Sequence, residues 1–154
     1  KLQSMRVMDT HEGIPVLEAI NEVLPPEVVV NVELKECGIA ADALAVAERF
    51  DNRTLVSSFD EDAIREEQDA GAEWVGYLVA RETGGQLDRA RTLGVDAIHP
   101  RVKLATPTFV RAAHGAGLTV NAWTVDSRLG AWALSQRGVD GFIASSPHVT
   151  DWIE

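Results

Sequence analysis

The sequence has little positive charge and almost no cysteine. Its 154 residues include 14 Lys and Arg against 24 Asp and Glu, which gives a formal net charge of −10. Nucleic acid and anionic membranes select positive protein surface, so the acidic excess argues against either as the main partner. Cys37 is the single cysteine, and a single cysteine excludes a disulfide within the chain.

Long apolar runs are absent as well. No stretch approaches the ~18–20 apolar residues of a membrane-spanning helix, and no signal peptide opens the chain. We therefore expect no stable membrane anchor and a cytoplasmic location. The 45% of hydrophobic residues is enough to bury the core of a single domain over residues 1–154. The chain starts at Lys1 rather than at methionine, as expected for a portion of a longer protein.

The most informative stretch is an apolar run that ends in two charges. Residues 28–34 are rich in valine and come directly after a proline pair and a turn, which predicts a buried strand. Because side chains alternate across a strand, Asn31, Glu33 and Lys35 share one face. A buried charge costs several kcal/mol, roughly, unless it is paired or binds a metal. From these residues alone, a structural ion pair and a functional site are both open.

Helical and strand patterns alternate along the whole chain. The predicted strands cover 28–34, 54–59, 74–79, 95–98, 118–125 and 139–143, and the predicted helices cover 14–24, 40–50, 60–70, 86–93, 106–115, 127–137 and a last one from 147. Four glycines, at positions 71, 94, 117 and 138, follow predicted helix ends, where the left-handed conformation favours glycine. This alternation predicts parallel strands joined by crossover helices.

Two arrangements of parallel strands fit the alternation, an open doubly wound sheet and a (β/α)8 barrel of the TIM type. No glycine-rich phosphate loop follows any predicted strand. Polar or aromatic residues recur instead at the carboxyl ends of the strands, namely Glu33, Lys35, Phe59, His99 and Trp123. These ends meet at the active-site rim of a barrel, so the pattern favours the barrel. Only six units are predicted, so the first two βα units of an eight-stranded barrel are expected to be missing.

Six segments carry short motifs in a fixed order. They are Ile14-Pro15-Val16-Leu17-Glu18, Asn31-Val32-Glu33-Leu34-Lys35, Val56-Ser57-Ser58-Phe59-Asp60, Val95-Asp96-Ala97-Ile98-His99-Pro100, Val120-Asn121-Ala122-Trp123-Thr124-Val125 and Gly138-Val139-Asp140-Gly141-Phe142-Ile143. In order and spacing they resemble the third to eighth strands of the glycerophosphodiester phosphodiesterase family, over nearly the whole chain.

The resemblance implies a (β/α)8 barrel that binds one divalent cation, calcium or magnesium. It also implies hydrolysis of a small-molecule glycerophosphodiester to glycerol 3-phosphate and an alcohol. Transferred residue by residue, it makes Glu33 a metal ligand and Lys35 a contact to the substrate phosphate. Both roles suit the chemistry, since a hard cation prefers carboxylate oxygens and an ammonium steadies a phosphate. Trp123 and Phe59 would line the wall of the substrate site, and His99 would either contact substrate or only form a hydrogen bond at the rim.

The sequence departs from the family pattern at several places. It contains no His-Arg-Gly motif and no counterpart to the family's first two strands, which carry that motif and the Glu-x-Asp metal ligands. The chain as given is therefore expected to lack the catalytic histidine pair, to be inactive alone and to associate with other copies through its unpaired strands. Residues 144–147 are Ala-Ser-Ser-Pro where the family has Thr-Asp-Arg-Pro, so a substrate contact from that loop is not expected.

The remaining polar and aromatic residues are expected to be structural. His11, His114 and His148 are no substitutes for the missing histidine pair, and the last two are predicted at the surface. Trp74, Trp132 and Trp152 are predicted to pack in the core. The carboxylates of residues 61, 66, 67 and 69 are predicted to form a solvated helix face.

Two other functions stay open from the sequence. One is a different barrel phosphodiesterase that acts on a lipid head group. The other is a barrel-derived binding or structural protein without catalysis. The segment upstream of the chain discriminates between the enzymes and the binding protein, because His-Arg-Gly followed by Glu-x-Asp would indicate an enzyme.

Overall fold

The computed structural model describes residues 14–81 and 84–149, so His11 and Trp152 lie outside the described residues. Helices and strands alternate through this part of the chain. The strands are β1 (Val30–Glu33), β2 (Thr54–Ser58), β3 (Val75–Val79), β4 (Ala97–Pro100), β5 (Thr119–Trp123) and β6 (Gly141–Ile143). The helices are α1 (Leu17–Asn21), α2 (Ala40–Ala47), α3 (Glu61–Asp69), α4 (Gln86–Leu93), α5 (Pro107–Gly115) and α6 (Arg128–Ser135), and a short 3-10 helix covers Pro147–Val149.

The six strands form one parallel sheet in the order β1-β2-β3-β4-β5-β6. Each strand therefore pairs with its neighbour in the sequence, as in the βα units of a barrel. A doubly wound sheet would instead reverse its strand order near the middle. The order rules out the doubly wound alternative and shows a TIM-type α/β fold. Strands β1 and β6 are the outer strands of the described sheet, and the absence of two further units stays a prediction.

The two faces of the sheet differ in chemistry. Apolar side chains on one face pack against the helices, as Tyr77 and Ile98 do with Ile64 of α3 and Val110 of α5. The opposite, inner face carries polar side chains, among them Ser57, His99 and Asn121. The alternation of side chains along each strand produces this separation.

Strand β1 is shorter and more exposed than the sequence predicts. The predicted buried strand over 28–34 is wrong at its start, because Val28 and Val29 are 37% and 42% exposed and the strand begins at Val30. The physical reason is position, since β1 pairs only with β2 in the described sheet and has no neighbour on its other side. A strand at an edge is covered less than a central one.

Two aspartates tie neighbouring strands together at the amino end of the sheet. Both follow the same Gly-Val pair, at 94–95 and at 138–139. Asp96 Oδ2 accepts a hydrogen bond from the backbone N–H of Val75 at 2.9 Å. Asp140 Oδ2 does the same for Val120 at 2.7 Å. The repeated motif thus fixes the register of β3 with β4 and of β5 with β6 at the end opposite the predicted rim.

Side-chain caps begin three of the described helices, α3, α5 and α6. Asp60 accepts from the backbone N–H groups of Asp62 and Ala63, which confirms the predicted cap of α3. Thr106 and Ser127 cap α5 and α6 in the same way. None of the helices within 14–81 and 84–149 has the length and apolar character to cross a membrane.

Candidate active site

The carboxyl end of β1 places Glu33 and Lys35 side by side. Lys35 Nζ lies 3.7 Å from Glu33 Oε1, and the two side chains are 79% and 35% exposed. The pair is therefore not buried, and the desolvation cost expected for a buried strand does not arise. An exposed ion pair contributes little stability, about 0–1 kcal/mol. Both groups can exchange this contact for a ligand at small cost.

The segment that follows β1 is held by hydrogen bonds from β2 and α3. Ser58 Oγ donates to the carbonyl of Leu34 at 2.7 Å. Further along, the Glu66 carboxylate accepts from the backbone N–H groups of Gly38 at 2.6 Å and Ala40 at 3.1 Å. The hydrogen bond from Gly38 is the main cause that lowers the pKa of Glu66. Glu66 therefore fixes the loop behind the Glu33–Lys35 pair, a role that the predicted solvated helix face does not include.

Two aromatic rings meet across the inner face. The ring centroids of Phe59 and Trp123 are 5.5 Å apart at an interplanar angle of 85°, an edge-to-face contact. Phe59 follows β2 and Trp123 ends β5, so the rings bridge the width of β3 and β4. The Trp123 indole N–H also donates to the carbonyl of His99 at 2.7 Å, which sets the orientation of the ring. The two residues form one wall, as a substrate-lining role requires.

His99 lies below this wall and is fully buried. Burial lowers the pKa of His99 to about 4, so the ring is neutral near pH 7. Its Nε2 lies 3.1 Å from Asn121 Nδ2. With this amide as the donor, Nε2 accepts and the ring proton is assigned to Nδ1, which has no hydrogen-bond partner among the described residues. The predicted contact of His99 with substrate stays a prediction.

Two glycines make room for this polar layer. A Cβ at Gly76 would lie 2.8 Å from both Cε1 and Nε2 of His99. A Cβ at Gly141 would collide with Oδ1 of Asn121. Neither glycine has a role that is predicted from the sequence. The available signal was a glycine inside a strand, which marks a close approach by another group.

A cavity of about 210 Å³ opens beside the ion pair. Its lining combines acidic, basic, hydroxyl and aromatic groups: Glu33, Leu34, Lys35, Ser58, Phe59 and Asp60. A larger groove of about 740 Å³ lies between the 102–107 loop and α6. The smaller cavity is the better candidate for chemistry, because it alone of the two contains the predicted metal ligand and phosphate contact.

The described residues do not assemble a complete metal site. Among them, no three His, Cys, Asp or Glu side chains come together in a group that could hold an ion. The Glu33 carboxylate is a suitable donor for calcium or magnesium, but either cation needs further oxygen ligands.

Of the described histidines, His114 and His148 do not join this region. His114 Nε2 of α5 lies 2.9 Å from Asp140 Oδ2, with both side chains about 40% exposed. His148 is exposed in the 3-10 helix. The prediction that both lie at the surface is confirmed.

The sequence of this chain is similar to the sequences of known proteins. The sequence model of the Glycerophosphoryl diester phosphodiesterase family matches residues 9–149. A curated relative, the probable glycerophosphodiester phosphodiesterase 2 of Mycobacterium tuberculosis, is 31% identical over an alignment of 150 residues. That alignment covers 86% of this chain and 56% of the relative, so the chain spans about half the length of the relative.

Two solved structures share the fold. A putative glycerophosphodiester phosphodiesterase from Galdieria sulphuraria superposes with a TM-score of 0.80 at 22% identity, over 96% of this chain and 66% of its own. A phosphodiesterase from Oleispira antarctica, solved in complex with the product sn-glycerol-3-phosphate, gives a TM-score of 0.75 at 25% identity, over 86% and 58%. With a family match over 9–149 and a barrel-type sheet that carries the family motifs at its strand ends, the chain belongs to the glycerophosphoryl diester phosphodiesterase family.

Proposed function

We propose that the complete protein hydrolyses glycerophosphodiesters to sn-glycerol 3-phosphate and an alcohol. The observation that carries this proposal is the cavity at the end of β1 and β2, where Glu33, Lys35 and Phe59 lie together. Family membership supports the same activity. So does the relative from Oleispira antarctica, whose structure contains sn-glycerol-3-phosphate.

Each residue has a proposed role. Lys35 would bind the substrate phosphate as a point charge. Glu33 would be one ligand of a calcium or magnesium ion, with the remaining ligands outside the described residues. Phe59 and Trp123 would line the wall for the glycerol or the alcohol portion, and neutral His99 would support that wall or contact the substrate from below.

The test is hydrolysis of glycerophosphocholine, followed by phosphorus NMR, in the complete protein with calcium, magnesium or a chelator. Lys35→Ala should raise KM for the substrate and leave the affinity for the cation largely intact. Lys103→Ala is the matched control, because Lys103 is an exposed lysine outside this cavity. A complete protein that binds sn-glycerol 3-phosphate without turnover would support the non-catalytic binding protein instead.

Self-association is part of the proposal for the chain as given. Strands β1 and β6 each lack a second neighbour in the described sheet, and unpaired strand edges favour pairing with another chain. Size-exclusion chromatography with light scattering on residues 1–154 should give a species larger than a 16.7 kDa monomer. A stable monomer with cation-dependent activity would contradict this account of the missing units.

A further inference from the structure

Arg101 extends the inner face of the sheet beyond the end of β4. Its backbone N–H donates to the carbonyl of Val79 at 2.8 Å, and the residue forms a parallel bridge with Trp123. Side chains alternate along a strand, and Ile98 belongs to the helix-side core. Arg101 therefore shares the inner face with His99 and lies beside Trp123 at the rim.

The guanidinium of Arg101 has no partner among residues 14–81 and 84–149. Arg49, Arg65 and Arg89 each pair with a carboxylate. Within the described part of the chain, no hydrogen bond or ion pair involves the Arg101 side chain, although acidic residues outnumber basic ones by 24 to 14 in the sequence. An exposed arginine at the mouth of a candidate active site is thus available to an anion.

Arg101 and Lys35 approach the mouth from strands that lie apart in the sheet. β1 and β4 are separated by two strands, as are β2 and β5. Phe59 and Trp123 meet at 5.5 Å across the second of these separations. Phe59 lines the cavity that contains Lys35, and Arg101 is bridged to Trp123, so the contact between the two rings connects Lys35 and Arg101 through one aromatic wall.

This inference rests on the proposed function. We propose that Arg101 is a specificity-determining residue that favours glycerophosphodiesters whose alcohol portion bears an anionic group. Lys35 is assigned to the reacting phosphodiester. The guanidinium of Arg101, beside the aromatic wall, is therefore left to face the alcohol portion. A guanidinium offers two parallel N–H donors to a phosphate or carboxylate. It also repels a quaternary ammonium, so choline is disfavoured.

The experiment compares kcat/KM for three substrates in the complete protein. Bis(glycerophospho)glycerol carries a second phosphate on its alcohol, glycerophosphoglycerol has a neutral alcohol, and glycerophosphocholine has a cationic one. Arg101→Ala should lower kcat/KM for the first about tenfold or more, because a charge-assisted hydrogen bond is lost. The value for the neutral substrate should change little, and the value for the choline substrate should be unchanged or higher.

Two further variants sharpen the result. Arg101→Lys keeps the charge without the fork and should lie between wild type and Arg101→Ala. Arg111→Ala removes an exposed arginine from α5 and should leave all three ratios unchanged. Ratios are the useful readout, since general damage to the fold lowers all three values together.

Equal losses on all three substrates, or ratios that do not change, would overturn the assignment of Arg101 while leaving the proposed activity in place. A wild-type protein that hydrolyses none of the three would overturn the proposed function, and this inference with it.

Discussion

The inner and helix-side faces of the sheet are formed by the same strands but carry side chains of different chemistry. On the helix side, Ile64, Ile98 and Val120 are all fully buried and close-packed. On the inner side, Gly76 and Gly141 withhold side chains so that His99 and Asn121 fit. One face gains stability by filling space with apolar groups, and the other keeps space for polar ones.

The difference shows where stability and function separate in this fold. Burial of apolar area stabilises by roughly 25 cal/mol per Å², and this stabilisation comes from the helix-side face. The inner face has a polar atom, His99 Nδ1, that is buried without a partner among the described residues. Such a group costs about 1–3 kcal/mol. The helix-side layer carries a similar cost on α3, where both carboxyl oxygens of the buried Glu67 also lack a hydrogen-bond partner among the described residues.

The largest expected effect is on the inner face. Glu33→Gln keeps the shape of the side chain and removes its charge, so turnover of the complete protein should fall about 100-fold, with a parallel loss of cation affinity. The fold should survive, because Glu33 is exposed and makes only one ion pair. Steady-state kinetics and calcium or magnesium titration provide the measurement.

The control for this variant is Glu36→Gln. Glu36 is exposed three residues further along and does not line the cavity, so its loss should leave both quantities unchanged. Undiminished cation-dependent turnover in Glu33→Gln would contradict the assignment of Glu33 as a metal ligand.

The second effect concerns the space that glycine keeps free. Gly76→Ala places a methyl group 2.8 Å from the His99 ring in a buried layer, and overpacking of this kind costs about 1–3 kcal/mol. The free energy of unfolding in urea should fall accordingly, and replacement of His99 by serine in the same chain should recover part of the loss.

Gly115→Ala is the matched control, because a Cβ there meets nothing within 4 Å at the end of α5. That change should be neutral or stabilising by up to about 1 kcal/mol. Equal destabilisation by the two alanines would mean that His99 does not occupy the space beside Gly76.

The sequence predicts the architecture well because the architecture depends on local patterns. The helix predicted at 86–93 has the same bounds in the structure, and the sequential strand order follows from five crossovers of one kind. The start of β1 was wrong because its exposure depends on what lies beyond the sheet edge, which no local pattern encodes. The Asp96 and Asp140 bonds to neighbouring strands escaped for a related reason, since each partner is about 20 residues away.

Side-chain burial on α3 follows the helical periodicity and not the charge of each residue. The prediction that Glu67 belongs to a solvated helix face is wrong, because its side chain is fully buried. Its position is three to four residues after the buried Ala63 and Ile64, which places all three on one helix face. Glu66, one residue earlier, points elsewhere and binds the loop at 38–40. The helical spacing of Ala63, Ile64 and Glu67 is present in the sequence, but the charge of Glu67 favours a prediction of exposure. Trp132 shows the opposite error, since it was predicted to pack and is 51% exposed.

The third prediction uses the buried carboxyl of Glu67. Burial, with a contribution from the nearby Glu66 charge, raises the pKa of Glu67 to about 7. The unfolded chain ionises near pH 4.5, so the protonated folded form is progressively disfavoured as the pH rises from 4.5 to 7. Stability should fall by about 2 to 3 kcal/mol over this window and then level off.

Glu67→Gln should remove that pH dependence, because an amide does not titrate. Denaturant unfolding at several pH values between 4 and 8 measures it. Glu66→Gln should remove a pH dependence of the opposite sign. The pKa of Glu66 is lowered, so its contribution to stability is present above about pH 4.5 and is lost as the pH falls. A wild-type stability that rises from pH 5 to 7 would contradict the assignment to Glu67.

The smallest effect is expected on the outer surface of α6. Leu129 is 75% exposed, whereas Leu134 of the same helix is 3% exposed and packs with Ala122 and Val125. Leu134→Ala should therefore cost about 2–5 kcal/mol in the free energy of unfolding, and Leu129→Ala less than about 0.5 kcal/mol. The pair holds residue type and helix constant, so the difference reports burial alone. A cost above about 1 kcal/mol for Leu129 would show that this surface is covered in solution, since so exposed a leucine has little packing to lose.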